Sequence, residues 1–248
     1  RGVAVGGPSV DPAGTAATHG TEAHGHLNPS ALRHSLVASD AFVFGPGGLL
    51  QDETGVWNLP YHLRRIRMAR RAGLPWAGIG LGADGLTTER GRGQVRKALV
   101  GHTAIAVRDE ASFDALRELG VERIVRTADL AFLAEVPQVS GDGVLGVCLR
   151  APQSGRFRPG ALNHAHRWPD GRADAMATAL DETARATGLT VRFLAFDARS
   201  DGVLHRQVAE RMATAAEVVE PELDGLVAAL ARVDAMATMR YHGAVLAA

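Results

Sequence analysis

The stretch AFVFGPGGLLQDETG, residues 41–55, decides the fold. A short apolar run, Ala41 to Phe44, passes directly into a turn made of Gly45, Pro46, Gly47 and Gly48, and the carboxylate of Asp52 follows. An apolar run closed by glycines and followed by an amphipathic stretch marks a buried parallel strand handing over to a crossover helix. The pattern recurs in PWAGIGLG (75–82), AIAVRD (104–109) and RIVRTAD (123–129), and again in GVLGVCLR (143–150), TVRFLAF (190–196) and DAMATMR (234–240). Between these runs, LPYHLRRIRMARRAG (59–73) spaces Leu59, Leu63, Ile66 and Met68 for a helix with an outer basic face, closed by Gly73. DEASFDALRELG (109–120) reads as a second helix with a Ser/Asp-rich start and a terminal glycine, and GAVLAA at the end of the chain opens another. The fold class is therefore α/β. AEVPQVSGDG (134–143) interrupts the pattern, and a boundary there divides the chain into domains 1–138 and 139–248. A further break, APQSGRFRPGALNHAHRWPDGRAD (151–174), has no period and reads as a loop over a cleft.

Composition narrows the partners. The 248 residues leave room for two domains. Lys+Arg and Asp+Glu are equal at 27 each, so bulk charge does not hold nucleic acid or an anionic membrane, and an anionic ligand must be gripped locally. The single cysteine, Cys148, excludes an internal disulfide framework and a cysteine-based zinc site, and it suits a reducing compartment. No apolar run approaches the roughly 18 residues of a membrane span, and the opening residues lack a signal-peptide pattern. The pairs His24/His26 and His164/His166 lie without matching carboxylate or cysteine spacing, so no metal site is assigned.

The candidate chemistry gathers at strand ends. Glycines after a parallel strand let backbone N–H groups approach an anion, which makes Gly47 and Gly48 ligand-contact candidates, with a plain tight turn as the alternative. Asp52 and Asp129 also stand at strand ends. Arg108 and Asp109 close another strand, where the two acids Asp109 and Glu110 equally suit a helix start. In the second half, Arg150 and Arg240 each terminate an apolar strand. Strand-end guanidinium groups suit carboxylate or phosphate, which they bind through two parallel hydrogen bonds; a structural salt bridge is the alternative. His242 lies two positions after Arg240, within reach of the same crevice.

Taken in order, SDAFVFGPGGLLQDETG, YHLRRIRMARRAGLPWAGIGLGADGL, AVRDEASFDALRELGV, TADLAF, LGVCLR and MRYHGAVLAA resemble the polysaccharide pyruvyl transferase family, in particular its bacterial cell-surface branch. The ordered set covers most of the chain. The resemblance implies two Rossmann-like domains facing a cleft, as in GT-B glycosyltransferases. It also implies a further strand and a Gly-Asn-x-Gly-Asp turn ahead of residue 1 and a further strand after residue 248, so the chain is expected to be incomplete at both ends. The implied reaction moves a pyruvyl group from phosphoenolpyruvate to two hydroxyls of one sugar of a cell-wall or exopolysaccharide, forming a cyclic ketal and releasing phosphate, with no cofactor. By the same resemblance Arg240 holds the donor, and His242 acts as general acid or as a second donor contact. Arg150 is the candidate for the other anionic group, and Asp52 and Asp129 are candidates for the base. Two departures are visible: Gly-Pro-Gly-Gly replaces a plain glycine triplet, and Tyr241 stands where leucine is usual. The implied partners are phosphoenolpyruvate and a free or lipid-linked saccharide, with no nucleic acid. The implied setting is cytoplasmic, with peripheral contact at the inner face of the membrane as an option. Two other readings use the same features: a sugar-nucleotide-dependent glycosyltransferase or epimerase, and a non-catalytic ligand-binding module, which leaves Arg240 and His242 without a purpose.

Overall fold

The computed structural model describes residues 2–53, 55, 57–100, 104–137, 139–150, 167–220 and 223–247. The chain divides into two compact units, Arg1–Asp129 and Leu130–Ala248. Both are α/β, and every strand pair within them is parallel.

The first unit opens with β1 (Gly6–Ser9), α1 (Pro12–His19), β2 (Glu22–Gly25) and α2 (Pro29–Val37), with β1 and β2 forming a sheet of their own. Both helices begin on a side-chain cap followed by proline. Asp11 accepts the N–H of Gly14 ahead of Pro12, and Asn28 accepts those of Ser30 and Ala31 ahead of Pro29. Then follow β3 (Phe42–Phe44), α3 (Asn58–Arg71), β4 (Trp76–Leu81), α4 (Glu89–Leu99), β5 (Ile105–Val107), α5 (Glu110–Glu118) and β6 (Ile124–Arg126). Their sheet has the order β3-β4-β5-β6, each strand beside its sequence neighbour. Leu59, Leu63 and Ile66 of α3 enter the core with Leu81, Val95, Leu99, Ile105, Val107 and Leu116. The next buried position of α3 is Ala69 rather than the expected Met68, because the step of three from Ile66 keeps to the buried face and the step of two leaves it. Arg65, expected on the outer face, is buried as well; its guanidinium lies 3.8 Å from the Tyr61 ring centroid and donates to the Tyr61 carbonyl.

The second unit begins with a 3₁₀ turn, Leu130–Leu133, that packs against its last helix. Its elements are β7 (Val144–Cys148), α6 (Asp170–Thr187), β8 (Thr190–Leu194), α7 (Asp201–Ala209), β9 (Ala216–Val219), α8 (Leu223–Leu230), β10 (Ala235–Thr238) and α9 (Tyr241–Leu246). The sheet order is β10-β7-β8-β9. The chain therefore builds outward from β7 to β9 and then crosses back to lay β10 on the other side of β7. β7 is buried along its length, and Ala173, Ala177, Leu180 and Ala184 of α6 and Leu204 and Val208 of α7 pack with it. The break expected over 151–174 ends sooner, since Asp170 already opens α6. Residues 151–166 of that break, including His164 and His166, lie outside the described residues.

Candidate functional site

β7 and β10 run side by side in register, Val147 opposite Ala237 and Cys148 opposite Thr238. The Met239 N–H continues the pairing by donating to the Cys148 carbonyl at 2.8 Å. Arg150 and Arg240 each stand two residues past the Cys148–Thr238 pair. Neighbouring strands lie about 4.8 Å apart, so both arginines leave the sheet at the same level. The strand order reverses between β7 and β10, and a reversal of this kind opens a ligand crevice at the carboxyl ends of the strands.

Arg240 is held on one edge of its fork. Its Nε donates to one carboxylate oxygen of Asp201 at 3.0 Å and its Nη2 to the other, while Nη2 also reaches Ser200 Oγ at 3.4 Å. Nη1 takes no part in this pairing. Asp201 is the first residue of α7 and is fully buried, whereas the Arg240 side chain keeps 23% exposure. Asp201 also accepts the Asp197 N–H at 3.0 Å. His242 is exposed in the first turn of α9, its ring edge-on to Tyr241 at 5.5 Å. The glycine after it is required by close approach: a Cβ on Gly243 would stand 2.3 Å from Thr238 Oγ1, so only glycine lets α9 turn this tightly over the end of β10. Cys148 lies beneath. Burial, and then the Asp201 charge, push its thiol up to about 12, which removes it from thiolate chemistry.

The strand ends of the first unit are closed by protein groups. Gly47 N–H donates to the Gly80 carbonyl at 3.0 Å, Leu49 N–H to Gly47 at 2.8 Å and Leu50 N–H to Gly82 at 3.2 Å. The glycine loop is thus bonded to the second glycine cluster, and the N–H of Gly47 is engaged internally rather than offered to an anion. A Cβ on Gly45 would lie 2.1 Å from the Ile79 carbonyl, and one on Gly82 would lie 2.9 Å from Arg108 Nη2. A Cβ on Gly48 would stand 3.7 Å from the same guanidinium. Arg108, with its side chain 9% exposed, reaches Asp109 at 3.3 Å, Asp129 at 3.4 Å and Asp84 at 3.9 Å. Asp109 caps α5 by accepting the Ser112 N–H at 2.8 Å, as the helix-start reading expects. Asp52 accepts the N–H and hydroxyl of Thr87, both at 2.9 Å, the Thr88 N–H at 3.2 Å and the Thr88 hydroxyl. Burial raises its carboxyl, but these bonds outweigh that and hold it below the ordinary value. Asp52 therefore fastens the start of α4. Asp129 is likewise buried against Arg108. Among the described residues no group of three or more His, Cys, Asp or Glu side chains could hold a metal ion.

A family model of polysaccharide pyruvyl transferases matches residues 13–248. The chain belongs to the polysaccharide pyruvyl transferase family. It is accordingly a transferase, and the family description carries with it a saccharide acceptor. No curated protein and no solved structure matches the chain. Among the described residues of this pyruvyl transferase family member, no helix is long and apolar enough to cross a membrane.

Two residues of the second unit escape the sequence pattern. Asp201 sits in FDARSDG after β8, where an acid at a helix start passes for an ordinary dipole partner. His205 follows one turn later on α7, fully buried, with Nε2 3.0 Å from the Leu149 nitrogen and 3.2 Å from its carbonyl oxygen. A histidine and an acid four residues apart at the start of a helix, just after a buried strand, form the signal that could have singled them out.

Proposed function

We propose that this chain transfers the pyruvyl group of phosphoenolpyruvate to two hydroxyls of one sugar in a cell-wall or exopolysaccharide, forming a cyclic ketal and releasing phosphate. The observation that carries the reading is the register of β7 and β10, which brings Arg150 and Arg240 to one level at the reversal of strand order. The donor carries a carboxylate and a phosphate close together, and arginines on two neighbouring strand ends suit such a pair of charges. Arg240 already shares one edge with Asp201, so it offers the donor its remaining Nη1 side, and Arg150 takes the second anionic group. His242 gives a proton to the methylene carbon, which becomes methyl as C2 turns electrophilic. The first sugar hydroxyl then adds to C2, phosphate leaves with the C–O electron pair, and the second hydroxyl closes the ketal. Two hydroxyl protons are lost; one balances the proton gained at carbon and the other departs with phosphate. Neither Asp52 nor Asp129 suits the base in this scheme, because each is engaged by neighbouring protein groups. The reading calls for no cofactor and for a cytoplasmic setting.

The test supplies the intact protein with phosphoenolpyruvate and saccharide acceptors and follows inorganic phosphate. Acceptor-dependent phosphate release supports the reading. Absence of phosphate, with release of a nucleoside diphosphate from a sugar nucleotide instead, replaces it with a glycosyl transfer.

A further inference from the structure

We infer that helix α7 is the positioning element of the donor site: Asp201 fixes the guanidinium of Arg240, and His205 holds the backbone N–H of Leu149, the residue before Arg150. The inference rests on the donor reading above. Asp201 and His205 are four residues apart and so share one face of α7; both are fully buried. Asp201 takes Nε and Nη2 of Arg240 in a two-point pairing. His205 Nε2 accepts the N–H of Leu149, the residue between the last strand position, Cys148, and Arg150. One helix thereby fastens the ends of both neighbouring strands.

Stability alone does not account for these two choices. A buried ion pair commonly contributes no more than apolar residues of similar volume. His205 Nδ1 is buried with no hydrogen-bond partner, and its ring lies 5.2 Å from that of Phe193, so half of the imidazole's polar capacity goes unused. Burial also holds the imidazole below its usual value, which keeps it neutral and Nε2 able to accept. What both residues share is what they hold. An unrestrained arginine loses rotamer freedom when it closes on an anion, and an arginine already locked on one edge loses less. Removing the lock should therefore raise the donor KM more than it lowers kcat.

The experiment measures donor KM and kcat of the intact protein from phosphate release, with folded fraction checked by circular dichroism. Asp201→Asn and His205→Leu should each raise the donor KM about tenfold while kcat stays within about threefold, and His205→Gln, which keeps an acceptor for the Leu149 N–H, should stay close to wild type. In an Arg240→Gln background, Asp201→Asn should add no further rise, because the group it positions is gone. An unchanged KM per folded enzyme in both variants, or a full multiplication of the Asp201 and Arg240 effects, overturns the inference. Exchange of the Arg240 Nε–H, read by nitrogen NMR on the wild type, needs neither a variant that folds nor a donor that reacts. Slow exchange supports the lock, and exchange at the rate of a free arginine side chain overturns it. If wild type releases no phosphate from phosphoenolpyruvate, the functional reading falls on its own, and the exchange measurement still decides whether the guanidinium is held.

Discussion

In the first unit the guanidinium at the strand mouth, Arg108, lies among Asp84, Asp109 and Asp129 with its side chain 9% exposed, whereas in the second Arg240 pairs with Asp201 and keeps 23% exposure. Both units are parallel sheets with strand-end arginines, so residue type and fold class alone do not separate them. Strand order does. The four strands β3 to β6 follow one another in a single direction, while the second sheet reverses between β7 and β10. Connections that leave neighbouring strands in opposite directions cannot fill the space above both, and a crevice remains there.

The largest expected effect tests the open mouth. His242→Gln should keep the fold and much of the donor affinity while lowering turnover about 10²–10⁴-fold. Equal losses of affinity and turnover would make His242 a binding residue. At the closed mouth the effect should fall on stability. Arg108→Met takes its guanidinium away from the buried Asp129, and denaturant unfolding should show a loss of about 3–5 kcal/mol. A loss below about 1 kcal/mol would mean that the enclosure of Arg108 contributes little. Asp52→Ala should cost about 0.5–2 kcal/mol, the range for a helix-start cap, with donor KM unchanged. A raised KM with stability intact would return Asp52 to the ligand.

Acidification sharpens the comparison further. Burial first, and then the Arg65 charge, lower His62 of the first unit from 6.5 to about 4. Between those values the unfolded chain binds a proton that the folded chain refuses, so stability falls as pH drops through that window. Asp181 of the second unit is held down to about 2 by the Thr214 hydroxyl, then by the N–H groups of Ala213 and Thr214. Its contribution is complete above the usual carboxylate value of 3.8 and is lost as pH falls from there toward about 2. Thermal unfolding across pH should therefore respond to His62→Gln in the higher window and to Asp181→Asn in the lower one; exchanged windows would contradict the assignment.

The strands that bear the candidate residues were legible because each is a compact apolar run closed by glycine or arginine. β1 (GGPS) and β2 (EAHG) carry too few apolar residues to stand out, and β9 (AEVV) is short and broken by Glu217. The helices α1 and α2 were announced by Asp11-Pro12 and Asn28-Pro29, a cap-then-proline signal that periodicity does not register. Arg240, Arg150 and His242 stand out as candidates by position alone, but the groups that folding brings to Arg240 and Leu149 do not. Asp201 pairs with Arg240 across 39 residues of sequence, and His205 reaches Leu149 across 56. The roles of Gly45, Gly82 and Asp52 were hidden for the same reason, since each answers to a group brought near only by folding.

The central claim is that the second sheet's reversal presents paired arginines to an anionic donor, and Arg150 tests it more cleanly than Arg240, whose removal also strips the buried Asp201 of its partner. The measurement is calorimetric titration of the intact protein with phosphoenolpyruvate, comparing wild type with Arg150→Gln. Saturable binding should weaken by about one to two decades in the variant, the worth of a charge-assisted hydrogen bond to an anion. Equal affinity in the two proteins would contradict the claim.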